Sequence, residues 1–222
     1  MEKVKSFEAH HDFIRGIIVH PSEPYIITCS DDSKIKIWNY ETDFSLKRTL
    51  SEHQHFVLAL AFNPKDLTKF ASGSMDKTVK IWNLTTDGKA NLTLTGHKGS
   101  VNTIDFYKGD RPHFATGSDD KTIKVWDYQT KQCLSTIETH AAAVTSVLFH
   151  PELPIMFSTG EDNKAIVHHS HSYNILNTLE YNLGMGWAVA ISSEDRNVIS
   201  FGFDEGSVVV KIGSDDPVVS IS

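Results

Sequence analysis

Short stretches in which apolar residues alternate with lysine recur along the chain. They read "IKIW" at 35–38, "VKIW" at 79–82 and "IKVW" at 123–126. Successive side chains of a β-strand point to opposite faces, so this spacing predicts strands with one buried face. Turn-forming pairs separate the apolar runs, at His20-Pro21, Asn63-Pro64 and His150-Pro151. No window sustains a helical period, and the pattern therefore predicts an all-β protein.

The alternating stretches belong to a longer repeat with a period of 43 to 44 residues. One histidine recurs at His10, His53, His97 and His140, and one tryptophan at Trp38, Trp82 and Trp126. An aspartate stands six residues before each of these tryptophans, at Asp32, Asp76 and Asp120. This period is typical of WD repeats, in which each unit folds as one four-stranded blade. The sequence thus predicts a WD-repeat β-propeller.

The number of predicted strands gives the organisation of this propeller. With the strands of a blade called a to d from the channel outward, five a-b-c units are expected, each followed by a d strand. They begin near Ile14, Val57, Val101, Val144 and Trp187. The expected blades of this single domain, 1–222, are 8–50, 51–95, 96–137, 138–180 and 181–222.

One further outer strand, "KVKSFE", is predicted at the start of the chain, where residues 1–7 precede the first blade. It allows two arrangements, a closed five-bladed ring or an incomplete portion of a seven-bladed ring. We favour the incomplete ring, because the chain starts in the middle of a blade. Propellers protect their sheet edges by closure, so an open edge would permit self-association.

Charge and composition limit the classes of partner and cofactor that this domain is expected to bind. The net charge of −7 disfavours nucleic acid and anionic membranes as partners and favours basic ones. Cys29 and Cys133 lack metal-ligand spacing and indicate a reduced, intracellular protein. No apolar run predicts a signal peptide or membrane insertion. The "HHSH" cluster at 168–171 does not place three ligands on one strand face, so neither a metal nor another cofactor is expected.

The recurring polar residues predict cross-links within blades. In the third blade, His97, Thr103, Asp120 and Trp126 are expected to form a hydrogen-bonded chain. A catalytic triad would occur once, whereas this set recurs, so we predict that the protein is not an enzyme. The expected departures are Gly16 and Ala59 at the hydroxyl position, His168 at the tryptophan position of the fourth blade, and Asn182 or Leu183, Glu205 and Lys211 in the fifth.

Acidic residues recur at one offset in the predicted b-to-c loops. Four of them directly precede the structural acid of their blade: Asp31, Asp119, Glu161 and Asp204. Asp12 lies in a d-to-a loop, three residues before Arg15. Both loop types open on the same side of a propeller, so these five acids predict one negatively charged surface, called here the acidic face. Exposed loop charges on a rigid scaffold favour binding, here of lysine or arginine side chains of a peptide.

Aromatic residues are expected beside these acids. Phe13 and Phe56 occupy equivalent positions just before the first strands of their blades, and Trp187 lies close to that position in the fifth. On the same side of the ring they could pack on a peptide or on the stem of a lysine. Packing at the edge of the blade is the equally weighted alternative.

Several stretches go beyond a generic WD repeat. "KVKSFEAH", "FHPELPI" and the irregular "FDEGSVVVKIG" of the last blade are specific, and with them essentially the whole chain resembles the first propeller of the coatomer beta-prime family. That family belongs to the coat of retrograde Golgi-to-ER vesicles and reads C-terminal dilysine signals of cargo proteins.

The resemblance implies roles for individual residues. Asp12 and Asp31 match two acids that hold one signal lysine, Asp119 matches an acid for the other, and Arg15 matches a further position on this face. The family's pocket for the peptide carboxylate lies largely in opening blades that have no counterpart here. The resemblance also implies other coatomer subunits as partners and a cytoplasmic location on Golgi membranes and vesicles. A generic WD-repeat scaffold for protein complexes remains the alternative.

Overall fold

The computed structural model describes residues 5–213 and 219–221, which form an all-β structure. The expected first strands begin within one residue of the predicted positions, the largest difference being Gly186 in place of Trp187. In chain order the strands are β1 (Ile14–Val19), β2 (Tyr25–Ser30), β3 (Ile35–Asn39), β4 (Ser45–Leu50), β5 (Val57–Phe62), β6 (Lys69–Ser74), β7 (Val79–Asn83), β8 (Leu92–Leu94), β9 (Val101–Phe106), β10 (His113–Ser118), β11 (Ile123–Asp127), β12 (Gln132–Ile137), β13 (Val144–Phe149), β14 (Ile155–Gly160), β15 (Lys164–His169), β16 (Ile175–Glu180), β17 (Gly186–Ile191), β18 (Val198–Phe203), β19 (Gly206–Lys211) and β20 (Val219–Ile221).

Five antiparallel four-stranded sheets follow one another along the chain, each with its strands in sequence order. They are the blades, numbered one to five. The innermost strands β1, β5, β9, β13 and β17 pack in succession, each on the sheet before it. This arrangement confirms the WD-repeat propeller architecture.

The hydrophobic core lies between successive blades rather than inside any one of them. Ile27 and Cys29 of blade one pack with Val57, Phe70 and Trp82 of blade two, and all five are almost fully buried. The same contact recurs between each later pair of blades. A single blade cannot bury both of its faces, so each blade depends on its neighbours for stability.

A hydrogen-bonded set of four side chains, the blade tetrad, links the strands within a blade. In blade three His97 Nδ1 lies 2.8 Å from Asp120 Oδ2 and His97 Nε2 lies 2.7 Å from Thr116 Oγ1. Trp126 Nε1 donates to the same hydroxyl at 2.8 Å. Asp120 also accepts hydrogen bonds from Lys98 N and Thr122 N. These bonds outweigh the effect of burial and hold the pKa of Asp120 well below its usual range.

The hydroxyl of the tetrad was wrongly predicted. It belongs to Thr116 in the second strand of the blade, whereas Thr103 Oγ1 accepts a hydrogen bond from Val147 N of the next blade at 3.2 Å. The lack of a hydroxyl at Gly16 and Ala59 therefore does not affect the tetrads of blades one and two, where Thr28 and Ser72 supply it. Both blades carry complete tetrads.

Blade four keeps the arrangement with His168 in place of tryptophan. Ser158 Oγ lies 2.8 Å from His140 Nε2 and 2.9 Å from His168 Nε2. His168 is fully buried, and its Nδ1 has no hydrogen-bond partner among the described residues. Burial, with the nearby His140, lowers the pKa of His168 to about 4.

Blade five replaces the tetrad with apolar packing. The strand register puts the buried Phe201 where Ser158 stands in blade four. It also puts Val210, not Lys211 as predicted, at the position of His168. Lys211 instead forms an ion pair with Asp195 at 2.7 Å. Blade five therefore relies on interblade packing.

The predicted outer strand at the start of the chain falls partly outside the described residues, at 1–4, and is wrong for residues 5–8, which form no strand. Phe7 packs on Trp38, with ring centroids 4.9 Å apart, and Lys5 pairs with Asp43 at 2.5 Å. This segment thus covers the outer part of blade one, and no strand of residues 5–213 pairs with it. Because β17 and β1 share no packing of comparable extent in the described residues, the blades form an open portion of a ring.

Candidate peptide-binding face

One backbone hydrogen bond, repeated in every blade, brings together the two loops that carry the predicted acids. In blade one the N–H of Asp31 donates to the carbonyl of Phe13 at 3.0 Å. In the other blades the corresponding pairs are Met75 with Phe56, Asp119 with Ser100, Glu161 with Ala143, and Asp204 with Met185. The acceptor always directly precedes the first strand. The b-to-c and d-to-a loops therefore lie side by side on one face, as expected for the acidic face.

A β-bulge at the second residue of each innermost strand shapes this face. Between the first and second strands of every blade the pairing register shifts once, at Arg15, Leu58, Asn102, Thr145 and Trp187. A bulge leaves one residue out of the ladder and redirects its side chain. In three blades that side chain contacts the acid of its own blade, an arrangement that the sequence alone did not indicate.

In blade one the bulge residue neutralises the predicted acid. Arg15 Nε and Nη2 donate to the two carboxylate oxygens of Asp31 at 2.8 and 2.6 Å. The side chain of Asp31 is only 3% exposed, whereas that of Arg15 is 47% exposed. The hydrogen bond to Asp31 raises the pKa of Arg15. A guanidinium of the chain itself thus occupies the place expected for the cation of a ligand.

Asp119 and Asp204 are held by neutral donors instead. Asn102 Nδ2 donates to Asp119 Oδ1 at 2.7 Å, and Trp187 Nε1 donates to Asp204 Oδ1 at 2.5 Å. The bond from Trp187, with a second from Met185 N, lowers the pKa of Asp204. Both residues are exposed, so their carboxylates face solvent beside these donors.

Asp12 and Glu161 are exposed acids of the face that make no side-chain contact with a bulge residue within residues 5–213. Asp12 Oδ1 accepts the N–H of Phe13 at 2.8 Å, and the carboxylate lies close enough to Arg15 to contribute to the raised pKa of that guanidinium. Glu161 is exposed, and no side-chain hydrogen bond or ion pair of it is found in residues 5–213. The bulge residue of its blade, Thr145, donates to Gly186 O of blade five at 2.6 Å.

The predicted aromatic residues lie beside these acids. Phe13 is 74% exposed, with the guanidinium carbon of Arg15 5.7 Å from its ring centroid. Phe56 is half-buried and packs on His55, with centroids 4.4 Å apart. Phe13 can therefore contact a ligand, whereas Phe56 is partly used in local packing.

Among the described residues, no helix is long and apolar enough to cross a membrane. The histidines at 168–171 separate as the strand pattern predicts: His168 lies in the core, while the rings of His169 and His171 are 5.4 Å apart. His171 Nε2 also lies 3.1 Å from Tyr107 OH.

Comparison with known proteins agrees with this architecture. The sequence matches the family described as "WD domain, G-beta repeat" over residues 1–39, 44–83, 88–127 and 131–169. It is 46% identical over 184 residues to coatomer subunit beta'-1 of Arabidopsis thaliana and 44% identical over 184 residues to coatomer subunit beta' of Rattus norvegicus. Each match covers 83% of this chain and 20% of the relative. A probable coatomer subunit beta' of Schizosaccharomyces pombe is 39% identical over 78% of this chain and 22% of its own length. The chain thus spans about a fifth of the curated relatives it matches.

Proposed function

Since the chain belongs to the WD-repeat family and is similar to coatomer subunits beta' over about four fifths of its length, we propose that it is a non-catalytic binding module of a coatomer-type vesicle coat. Its acidic face binds the lysines of C-terminal dilysine sorting signals in retrograde Golgi-to-ER transport. In a full-length context it contacts other coatomer subunits, at the cytoplasmic surface of Golgi membranes and vesicles.

The placement of the acids on one face carries this proposal. Five equivalent backbone hydrogen bonds hold both acid-bearing loop types on the same side of the ring. Loops fixed to a rigid scaffold hold the carboxylates at set positions, so a peptide cation meets several of them at once. A partly enclosed, negatively charged surface also concentrates cations and accelerates their association.

Arg15 competes with a ligand lysine for the carboxylate of Asp31, close to Asp12. A ligand ammonium has to share Asp31 with the guanidinium or displace it from the two carboxylate oxygens. The half-exposed Arg15 side chain can turn toward solvent, and Asp12 then supplies the second carboxylate. Asp119, with Glu161 and Asp204 further along the face, receives the other lysine. Phe13 packs along an aliphatic lysine stem.

Titration of a peptide ending in a dilysine signal, followed by fluorescence anisotropy, tests the proposal. Asp31→Asn and Asp119→Asn should each weaken binding by roughly three- to tenfold, the effect of losing one charged contact at a partly exposed site. Arg15→Gln should strengthen binding, because it removes the competing cation. Binding should also weaken as salt is raised.

Two controls make the result specific. Glu194→Gln removes an exposed acid from the opposite face, in the a-to-b loop of blade five, and should leave the affinity unchanged. A peptide with serine in place of both lysines should not bind. Equal affinity of the wild-type chain for both peptides, or weaker binding by Arg15→Gln, would contradict the proposal.

The generic scaffold is the second candidate, and the internal partners of the acids favour it. Asp31, Asp119 and Asp204 each bond to the bulge residue of their own blade, which gives them a role in loop structure. A scaffold would bind its partners when these three acids are replaced. Retained binding of coat subunits by Asp31→Asn, together with no dilysine binding by the wild-type chain, would select this second function.

A further inference from the structure

A groove on blade three gathers three lysines in a protein whose net charge is −7. The groove has a volume of about 700 Å³ and lies between the loop that precedes β9 and the outer strand β12. Lys98 and Lys121 are exposed, and Lys124 is half-buried. This groove, called here the lysine groove, therefore has the opposite character to the acidic face.

Blade two shows what the lysine equivalent to Lys124 contacts in this fold. Lys80 Nζ donates to Thr93 Oγ1 at 2.9 Å and lies 3.9 Å from Glu52 Oε2. The same carboxylate oxygen accepts a hydrogen bond from Ala90 N at 3.2 Å. Glu52 directly precedes the tetrad histidine of its blade. A carboxylate of the chain itself thus lies beside the third-strand lysine of blade two and offsets its charge.

Blade three keeps the lysine and lacks the carboxylate. Lys124 makes the equivalent hydrogen bond, to Thr136 Oγ1 at 2.8 Å. Gly96 stands where blade two has Glu52. The backbone of Gly96 has a φ of 148°, which glycine adopts far more readily than other residues, and a Cβ there would lie 3.2 Å from Trp126 Cη2. Backbone conformation and packing therefore both keep a side chain out of this position.

The charges that line the lysine groove do not cancel. Asp120 lines it, but its carboxylate already accepts the backbone N–H groups of Lys98 and Thr122. Glu138 is exposed at the groove and forms no ion pair with the three lysines in the structure of residues 5–213. Three ammonium groups against two carboxylates leave one positive charge in excess, which favours an anionic ligand.

We propose that the lysine groove binds carboxylates of an acidic segment, rich in glutamate or aspartate, of a partner protein. The ammonium of Lys124 binds one carboxylate as Lys80 binds Glu52. The exposed side chains of Lys98 and Lys121 bind neighbouring acids of the segment through charge-assisted hydrogen bonds. The acidic face and the lysine groove thus select segments of opposite charge.

Titration of a polyglutamate peptide into the isotope-labelled chain, followed by NMR of the backbone amides, tests the proposal. The shift changes should concentrate at Gly96, Lys98 and Lys121. Lys121→Gln should weaken binding roughly two- to fivefold, the effect of losing one exposed ion pair. Lys77→Gln is the matched control, because Lys77 is the equivalent exposed lysine of blade two with a φ of 70° against 71° at Lys121. It should leave the affinity unchanged.

Two more variants test the roles of individual charges in the groove. Lys124→Gln keeps a donor toward Thr136 and should weaken binding at least as much as Lys121→Gln. Glu138→Gln should strengthen binding, because it removes an acid that repels the peptide. A polyglutamine peptide should cause no shift changes. Shift changes that fall outside the groove, or equal affinities of Lys121→Gln, Lys124→Gln and the wild-type chain, would overturn the proposal.

Discussion

Replacement of Thr116 by valine should isolate the contribution of the blade tetrad to stability. The hydroxyl of Thr116 is fully buried and joins His97 Nε2 to Trp126 Nε1, at 2.7 and 2.8 Å. Since the N–H at His97 Nδ1 donates a hydrogen bond to Asp120, His97 Nε2 carries no proton and accepts a hydrogen bond from the Thr116 hydroxyl. Valine has nearly the same shape as threonine, so the change removes the hydroxyl while the packing stays nearly constant.

The magnitude follows from the two groups that lose their partner. A buried polar group without a hydrogen bond costs about 1–3 kcal/mol. Thr116→Val leaves the imidazole acceptor and the indole donor both without the hydroxyl. The free energy of unfolding should therefore fall by about 2 to 6 kcal/mol. Thr116→Ser keeps the hydroxyl and should lose about 1 kcal/mol, the contribution of one methyl group.

Urea unfolding followed by tryptophan fluorescence measures these differences. The matched control is Thr103→Val, which makes the same chemical change at the neighbouring innermost strand. Thr103 accepts one backbone hydrogen bond, from Val147 N, so its loss should cost about 1 kcal/mol. If Thr103→Val destabilised the protein as much as Thr116→Val, the assignment of the hydroxyl and the reasoning from orphaned groups would both be refuted.

Two further measurements test the interblade packing and the substituted tetrad. Gly117→Ala should destabilise the protein by about 1–3 kcal/mol, because its Cβ would overlap Val144. Gly202→Ala, where the Cβ has open space, should be neutral or slightly stabilising. Thermal unfolding compares the two variants, and equal losses of stability would contradict the packing argument. His168 has its pKa lowered to about 4 by burial, so the unfolded chain takes up its proton first as pH falls, and stability should decrease by about 3 kcal/mol between pH 6.5 and 4. His168→Trp keeps an N–H donor toward Ser158 without this titration, and its unfolding free energy should fall less over the same pH range; parallel curves would disprove the role of His168.

The strands and blades could be predicted because their signals are local. Alternation around Trp38, Trp82 and Trp126 fixed the third strand of three blades, and the histidine spacing fixed where each next blade begins. Blade five carries neither signal, since Lys211 was assigned to its tryptophan position and Asn182 or Leu183 to its histidine position. The error at Lys211 arose there, because without a tryptophan the pattern does not define the strand register to a single residue.

The hydroxyl of the tetrad has a signal of its own in the sequence. Thr28, Ser72, Thr116 and Ser158 each stand ten residues before the residue at the tryptophan position. Thr103 has no hydroxyl counterpart in the first two blades, and that difference argued against it.

The partners of the acids were less accessible to prediction. The sequence placed Asp31 and Asp119 on one face, but a β-bulge in the innermost strand turns Arg15 and Asn102 toward them. Bulges depend on how two strands pair, which no residue spacing in a single strand reveals. The open ends of the ring likewise follow from which blades meet in space.

At the β-bulges the side chain varies between blades while the strand pairing stays the same. The residue at the bulge is arginine, leucine, asparagine, threonine or tryptophan in successive blades, while the strand pairing around it is the same. A substitution there changes the chemistry of one blade's rim and leaves the tetrad in place, while in blades three and four it also removes a hydrogen bond from Asn102 or Thr145 to the backbone of the next blade. The bulge residues of blades one and five bond within their own blade, so they are the positions at which ligand preference can change with the least effect on the contacts between blades.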